Sequence, residues 1–154
     1  MSLLEVHVGL SFIGIASGLV ALYGLLTGRL YRGWTALFLA ATILTNATGF
    51  PLAPFGFDPP RAIATLSLVL LALAVIALYV FRLGGAWRWI YVVTATAALY
   101  FNVFVAFFQA FLKIPAVHAL APTQSEPPFL VTQLVVLLIF VALGFLALRK
   151  FHPA

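Results

Sequence analysis

An all-α bundle of five transmembrane helices is the fold this sequence predicts, and three observations predict it. Of its 154 residues, 65% are hydrophobic and 7% charged, with a mean hydropathy of +1.20, far from the roughly one-quarter charged make-up of soluble domains. Five apolar runs, at about 3–26, 34–50, 62–81, 87–112 and 129–148, are separated by short breaks rich in arginine or proline, which leaves one membrane domain over residues 1–154. The basic residues gather in alternate breaks, as crossing helices require.

The first run, Leu3 to Leu26, has no Lys or Arg before it and carries Glu5. It lacks the basic start of a cleaved signal peptide and reads as a retained span. His7, Ser11, Gly14, Gly18 and Ala21 recur at helical spacing, so one face is narrow enough for close helix contact, with Gly14 and Gly18 as a GxxxG pair. The second run, Trp34 to Phe50, is near the lower length limit for a span. Thr35, Thr42, Thr45, Asn46 and Gly49 line one broad side of it until Pro51 stops the helix.

A loop with four prolines follows, in which Asp58 before Pro59 and Pro60 has the chemistry of a helix start. The third run, Ala62 to Phe81, has few polar interruptions and is expected to be the most lipid-exposed helix. The fourth, from Trp87 to Lys113, has two unlike sides. Tyr91, Ala95, Ala98, Asn102, Ala106, Gln109 and Lys113 form a small, polar stripe expected to face the bundle. Tyr100, Phe104, Phe107, Phe108 and Phe111 form a ring wall expected to face outward. A second proline-rich loop contains His118, with a short interfacial helix expected over Ala116 to Ala121 and a start signal at Ser125 and Glu126 before the fifth run, Phe129 to Leu148.

With five spans, Arg29, Arg32, Arg82, Arg88, Arg149 and Lys150 share one side, against Arg61 and Lys113 with all three acids on the other. The positive-inside rule then puts the N-terminus outside and the C-terminus in the cytoplasm. The net charge of +5 therefore speaks for topology and not for nucleic acid. Arg29, Arg32, Arg82 and Arg88 are expected near anionic lipid head groups.

The polar residues allow two readings. His7, Asn46, Asn102, Gln109 and His118 line an outward pocket between the first, second and fourth spans, or they hydrogen-bond between helices as glue. His7 and His118 are the weak candidates for a metal or a haem iron, without HxH or HExxH spacing to support them, and no cofactor is predicted. No nucleophile elbow, phosphate loop or zinc-protease motif occurs, and no cysteine is present. Catalysis is not expected.

The segments GWTALFLAATILTNATGF (Gly33 to Phe50) and AWRWIYVVTATAALYFNVFVAFFQAFLKIPAVHALAPTQSEPPF (Ala86 to Phe129) resemble a group of small bacterial inner-membrane proteins that have no assigned activity. That resemblance implies an inner-membrane location and transfers no site residues. The expected function is a small accessory or interaction subunit of a membrane complex, with another membrane protein or further copies of the chain as partner; the alternative is a protein that binds or conducts a small ligand, metal, haem or ion.

Overall fold

The computed structural model describes residues 2–51 and 59–152. All regular structure among them is helical: α1 (Leu3–Leu26), α2 (Arg32–Gly49), α3 (Pro59–Val75, extended by the π-helical turn Ile76–Val80), α4 (Trp87–Lys113), the one-turn α5 (Pro115–His118) and α6 (Pro127–Lys150). Four stretches, Leu3–Leu26, Arg61–Val80, Trp87–Lys113 and Pro127–Lys150, are long and apolar enough to cross a membrane, the mark of a multi-pass membrane protein. The 18-residue α2 is not among them, because Arg32, four threonines and Asn46 dilute its apolar content.

Local chemistry fixes the ends. Ser2 and Glu5 form a capping box: Glu5 N–H donates to the Ser2 hydroxyl at 3.1 Å and Ser2 N–H to the Glu5 carboxylate at 3.0 Å. At the other end of α1, Gly28 has φ +78°. Arg29 N–H reaches Gly24 O at 2.7 Å and Gly28 N–H reaches Leu25 O at 3.1 Å, the paired bonds of a Schellman turn, which a glycine enters without steric cost. The α3–α4 connection is also a sharp turn. Arg82 and Leu83 both adopt positive φ, at 50° and 61°, and the Phe81 and Trp87 rings stack across the turn at 4.2 Å.

The five long helices run up and down in alternation. Gly28, after α1, sits where an added Cβ would meet Lys150 O at the end of α6 at 3.2 Å, and Arg88, at the start of α4, bonds to Leu148 O and Phe151 O. These contacts gather the end of α1 and the starts of α2 and α4 beside the end of α6. At the opposite end His7 lies against Thr48 and Gly49, while Arg61 Nε donates to Phe50 O at 3.2 Å and ties the start of α3 to the end of α2. Arg29, Arg32, Arg82, Arg88, Arg149 and Lys150 therefore share one end of the bundle.

Helix α4 is the axis, in contact with every other long helix. Tyr91, Val92, Ala98 and Leu99 on it are at most 1% exposed. Lipid is as apolar as these side chains, so close packing and interhelical hydrogen bonds hold the bundle together. The small stripe of α4 points inward from Tyr91 to Asn102, and Gly14, Gly18 and Ala21 of α1 are likewise buried, as their spacing predicts.

Two faces differ from the sequence expectation. The ring wall of α4 is not free: Tyr100 meets Phe140 at 5.8 Å, and Phe108 and Phe111 meet Phe129 edge-on at 6.2 and 5.4 Å. An aromatic ring gains more against another ring than against acyl chains, so α6 docks on this wall, and among these rings Phe107 is the one left exposed. As a result α6, with 22% of its apolar window buried against 28% for α3, is the more lipid-exposed helix.

Candidate functional site: a polar seam between three helices

The polar residues of α1, α2 and α4 form a seam. His7 Nδ1 lies 3.0 Å from Thr48 Oγ1. The Thr48 hydroxyl also donates to Leu44 O at 2.7 Å, which leaves its lone pairs to accept from a His7 ring protonated on Nδ1. One turn deeper, Ser11 donates to Asn102 Oδ1 at 3.3 Å. One turn deeper again, Gly14 faces both Thr42 and Asn102: a Cβ there would stand 2.9 Å from Thr42 Oγ1 and 3.2 Å from Asn102 Nδ2. The missing side chain is what lets an amide and a hydroxyl from two helices reach the α1 backbone together.

Most hydroxyls along the seam are satisfied by their own helix. Ser17 donates to Ile13 O at 2.6 Å and Thr45 to Ala41 O at 2.7 Å, and Asn46 Nδ2 donates to Thr42 O at 2.8 Å. This is how a polar side chain is tolerated in hydrocarbon. Thr42 Oγ1, Asn102 Nδ2 and Gln109 Oε1 are buried without a hydrogen-bond partner. They leave open donor and acceptor sites along one side of the seam.

The expected site residues therefore divide. Ser11, Gly14 and Asn102 come together, with Asn46 bonded to the carbonyl of the same Thr42. Gly18 belongs to the apolar continuation of the seam, against Leu99 and Phe38. Gln109 stands two turns beyond Asn102, about 10 Å along α4. His118 is elsewhere: its Nδ1 donates to Phe111 O at 3.0 Å, and α5 packs beside the Phe111, Ala121 and Phe129 cluster. His7 and His118 thus bond to different helices, and no group of three His, Cys, Asp or Glu side chains suited to a metal ion occurs among the described residues.

The basic residues also divide. Arg29, Arg32 and Arg82 are exposed, whereas Arg88 is half-buried and donates through Nη1 to Leu148 O at 3.0 Å and Phe151 O at 2.7 Å. It satisfies carbonyls that the last turn of α6 leaves open. Glu126 occupies the N-cap position of α6 but does not cap it with its side chain. Its carboxylate turns back to accept from Thr123 N–H, Thr123 Oγ1 and Ser125 N–H, because Pro127 and Pro128 carry no N–H and Phe129 N–H is taken by the Glu126 carbonyl at 3.1 Å. The Thr123 hydroxyl bond, helped by these backbone donors, holds the Glu126 carboxyl below the usual glutamate range. The short helix of this loop spans Pro115–His118 and not Ala116 to Ala121. Asp58 lies outside the described residues.

Two polar residues outside the expected site set make interhelical bonds. Arg61 is 7% exposed and reaches the end of α2. Gln133 is 7% exposed and donates to Phe104 O at 3.1 Å, an interhelical bond from α6 to α4. The signal for Gln133 was its position four residues after Phe129, on the face that meets the ring wall. The capping box was legible as Ser-x-x-Glu before an apolar run.

Comparison with protein-family models, curated proteins and solved structures gives no match to this chain.

Proposed function

We propose that this protein is a non-catalytic, five-span membrane subunit whose polar seam holds the bundle together and whose outer faces bind a partner in a membrane complex. The observation that carries this reading is the close fit at Gly14, where the amide of Asn102 and the hydroxyl of Thr42 pack against a helix backbone with no room for a methyl group. Polar groups packed that tightly act as interhelical contacts, each worth about 0.5–2 kcal/mol. The first half of α6, with Leu130, Val131, Leu134 and Leu138 each more than half exposed, offers an apolar face to a partner helix or to a second copy of the chain.

The topology belongs to the same proposal. Helix α2 lies antiparallel to α1 along its whole length, from Gly49 beside His7 to Tyr31 beside Gly24, so it crosses with α1 despite its modest apolarity. The end that gathers six basic residues is the cytoplasmic one, which leaves the N-terminus outside. The membrane is a bacterial inner membrane, in line with the resemblance of its second and fourth spans. Single cysteines introduced into this cysteine-free chain test the crossing: Gly28→Cys and His152→Cys label from the cytoplasmic side and Ser2→Cys from the other. Opposite labelling of Gly28→Cys and His152→Cys refutes five spans.

A second reading rests on the unpartnered Thr42, Asn102 and Gln109 atoms, with His7 at the outer end: a narrow polar column that takes up a small hydrogen-bonding ligand or ion. Native mass spectrometry on gently extracted protein separates the two. Co-purification of another polypeptide, unchanged in a His7→Leu/Asn102→Leu variant, supports the subunit. A small retained mass that the double variant loses supports the column.

A further inference from the structure

Away from the polar seam, the line along which α4 packs on α6, with Gly144 against Thr96, leaves a lipid-facing groove of about 370 Å³. Val93, Ala97 and Tyr100 line it from α4 and Val141, Phe145 and Leu148 from α6. We propose that this groove holds one acyl chain of an anionic phospholipid, whose phosphate is taken by the basic residues at its mouth.

Depth is the first argument. On α6 the groove extends from Leu137 to Leu148, a rise of about 16 Å along the helix, which is half of a hydrocarbon core of about 30 Å. It is one leaflet deep. At its inner end, Tyr100 packs on Phe140 at 5.8 Å and closes it near the membrane centre. At its outer end it stops at Leu148, where α6 finishes and the membrane surface begins.

The second argument is charge. Leu148 is followed directly by Arg149 and Lys150, both exposed. The Arg149 guanidinium lies 5.9 Å over the ring of Phe145, itself a lining residue, so the cation is held at the mouth by the wall of the groove. Arg88 adds a third positive charge there through its bond to Leu148 O. Trp89 is 50% exposed and stands one turn before Val93 on the same face of α4, where an interfacial tryptophan meets glycerol and head group. No Asp or Glu lies in α4 or α6 to offset these cations. An apolar slot one leaflet deep, with a cationic mouth and an aromatic collar, has the outline of a phospholipid with a negative head group, and a guanidinium suits its phosphate.

The test is lipid retention by the full-length protein. Detergent-purified chain is reconstituted into nanodiscs of equal phosphatidylglycerol and phosphatidylcholine, released, and weighed by native mass spectrometry. The wild type is expected to keep one phosphatidylglycerol, in preference to phosphatidylcholine by about tenfold. Arg149→Gln/Lys150→Gln is expected to lose the preference while still retaining lipid, and Ala97→Phe, which fills the slot from α4, to lose the bound lipid. Equal retention of the two lipids by the wild type, undiminished retention by Ala97→Phe, or a second protein chain in place of lipid overturns the proposal. A photoactivatable phosphatidylglycerol on the wild type needs no variant: crosslinks concentrated on Val93, Ala97, Val141 and Phe145 support the site, and crosslinks spread over all lipid-facing helices refute it.

Discussion

Gly18 offers a sharp test of the packing described above. A methyl group placed on it would stand 2.7 Å from both Leu99 Cδ1 and Phe38 Cδ1, whereas apolar carbons rest at about 3.5–4.0 Å. Each neighbour would have to withdraw by about 1 Å. Neither has space to do so: Leu99 is 1% and Phe38 3% exposed, and the void beside them is about 10 Å³, at the threshold for a single water. Overpacking of this kind costs about 1–3 kcal/mol. Alanine recovers up to about 1 kcal/mol as a better helix former, so the net loss for Gly18→Ala is about 1 kcal/mol. Gly9, on the same helix, has nothing within 4 Å of an added Cβ, so Gly9→Ala collects the propensity gain alone. Propensity cancels between the two variants, which leaves a difference of about 1–3 kcal/mol that belongs to packing. Both can be unfolded by SDS titration in mixed micelles and followed by helical circular dichroism. Gly18→Ala as stable as Gly9→Ala, or more so, refutes the close contact of α1 with α2 and α4.

Arg88→Gln removes a charged donor from two carbonyls of the α6 terminus and is expected to cost about 2–3 kcal/mol, with earlier carboxypeptidase digestion beyond Leu148 as the local readout. Asn102→Leu is expected to cost about 1–2 kcal/mol in the same SDS titration, and Ser11→Ala made in that background to cost nothing further, since its partner is already gone. Arg82→Gly is expected to stabilise by about 1 kcal/mol, because arginine stands at a positive φ that glycine adopts freely. Glu126 sets a pH dependence: its folded pKa is depressed, so its contribution is fully present above the unfolded value of about 4.3 and is lost as pH falls through the lower folded value. Protection of the Thr123 and Ser125 amides relative to their intrinsic exchange rate is expected to fall in that acid window and to be reduced already at neutral pH in Glu126→Gln.

Much of this architecture was legible because a bilayer leaves few solutions. Gly14, Gly18 and Ala21 on one stripe of α1, and Tyr91, Ala95, Ala98 and Asn102 on one stripe of α4, had to face protein, and they face each other's helices. The ring wall misled because aromatic residues serve equally at lipid and at helix contacts. What separates the cases is whether a neighbour offers rings of its own, and Phe129 and Phe140 lie 18 or more residues away in the chain. Arg61 was read as a flanking charge. Its burial depends on the carbonyl of Phe50 being left open by the end of α2, a circumstance of tertiary structure that periodicity does not carry. For Glu126 the capping signal was correct in type, but the two prolines after it carry no N–H and Phe129 N–H is taken by the Glu126 carbonyl, and the carboxylate found its partners on the preceding side.

The α1–α2 pairing also bears on how the chain enters the bilayer. Alone, α2 would expose Thr42 and Asn46 to lipid, and its apolar surface is modest repayment for that. Joined to α1 by a short Schellman turn, it arrives beside a helix whose Gly14 admits the Thr42 hydroxyl, while the Asn46 amide turns back onto Thr42 O. On the five-span proposal the pair behaves as one insertion unit, a helical hairpin in which the first arm is a passport for the second. A chain in which α1 is replaced by a uniform polyleucine span should still cross at that first arm, yet leave α2 stranded at the surface. On that proposal the few small side chains of α1 govern the membrane topology of residues that come after them.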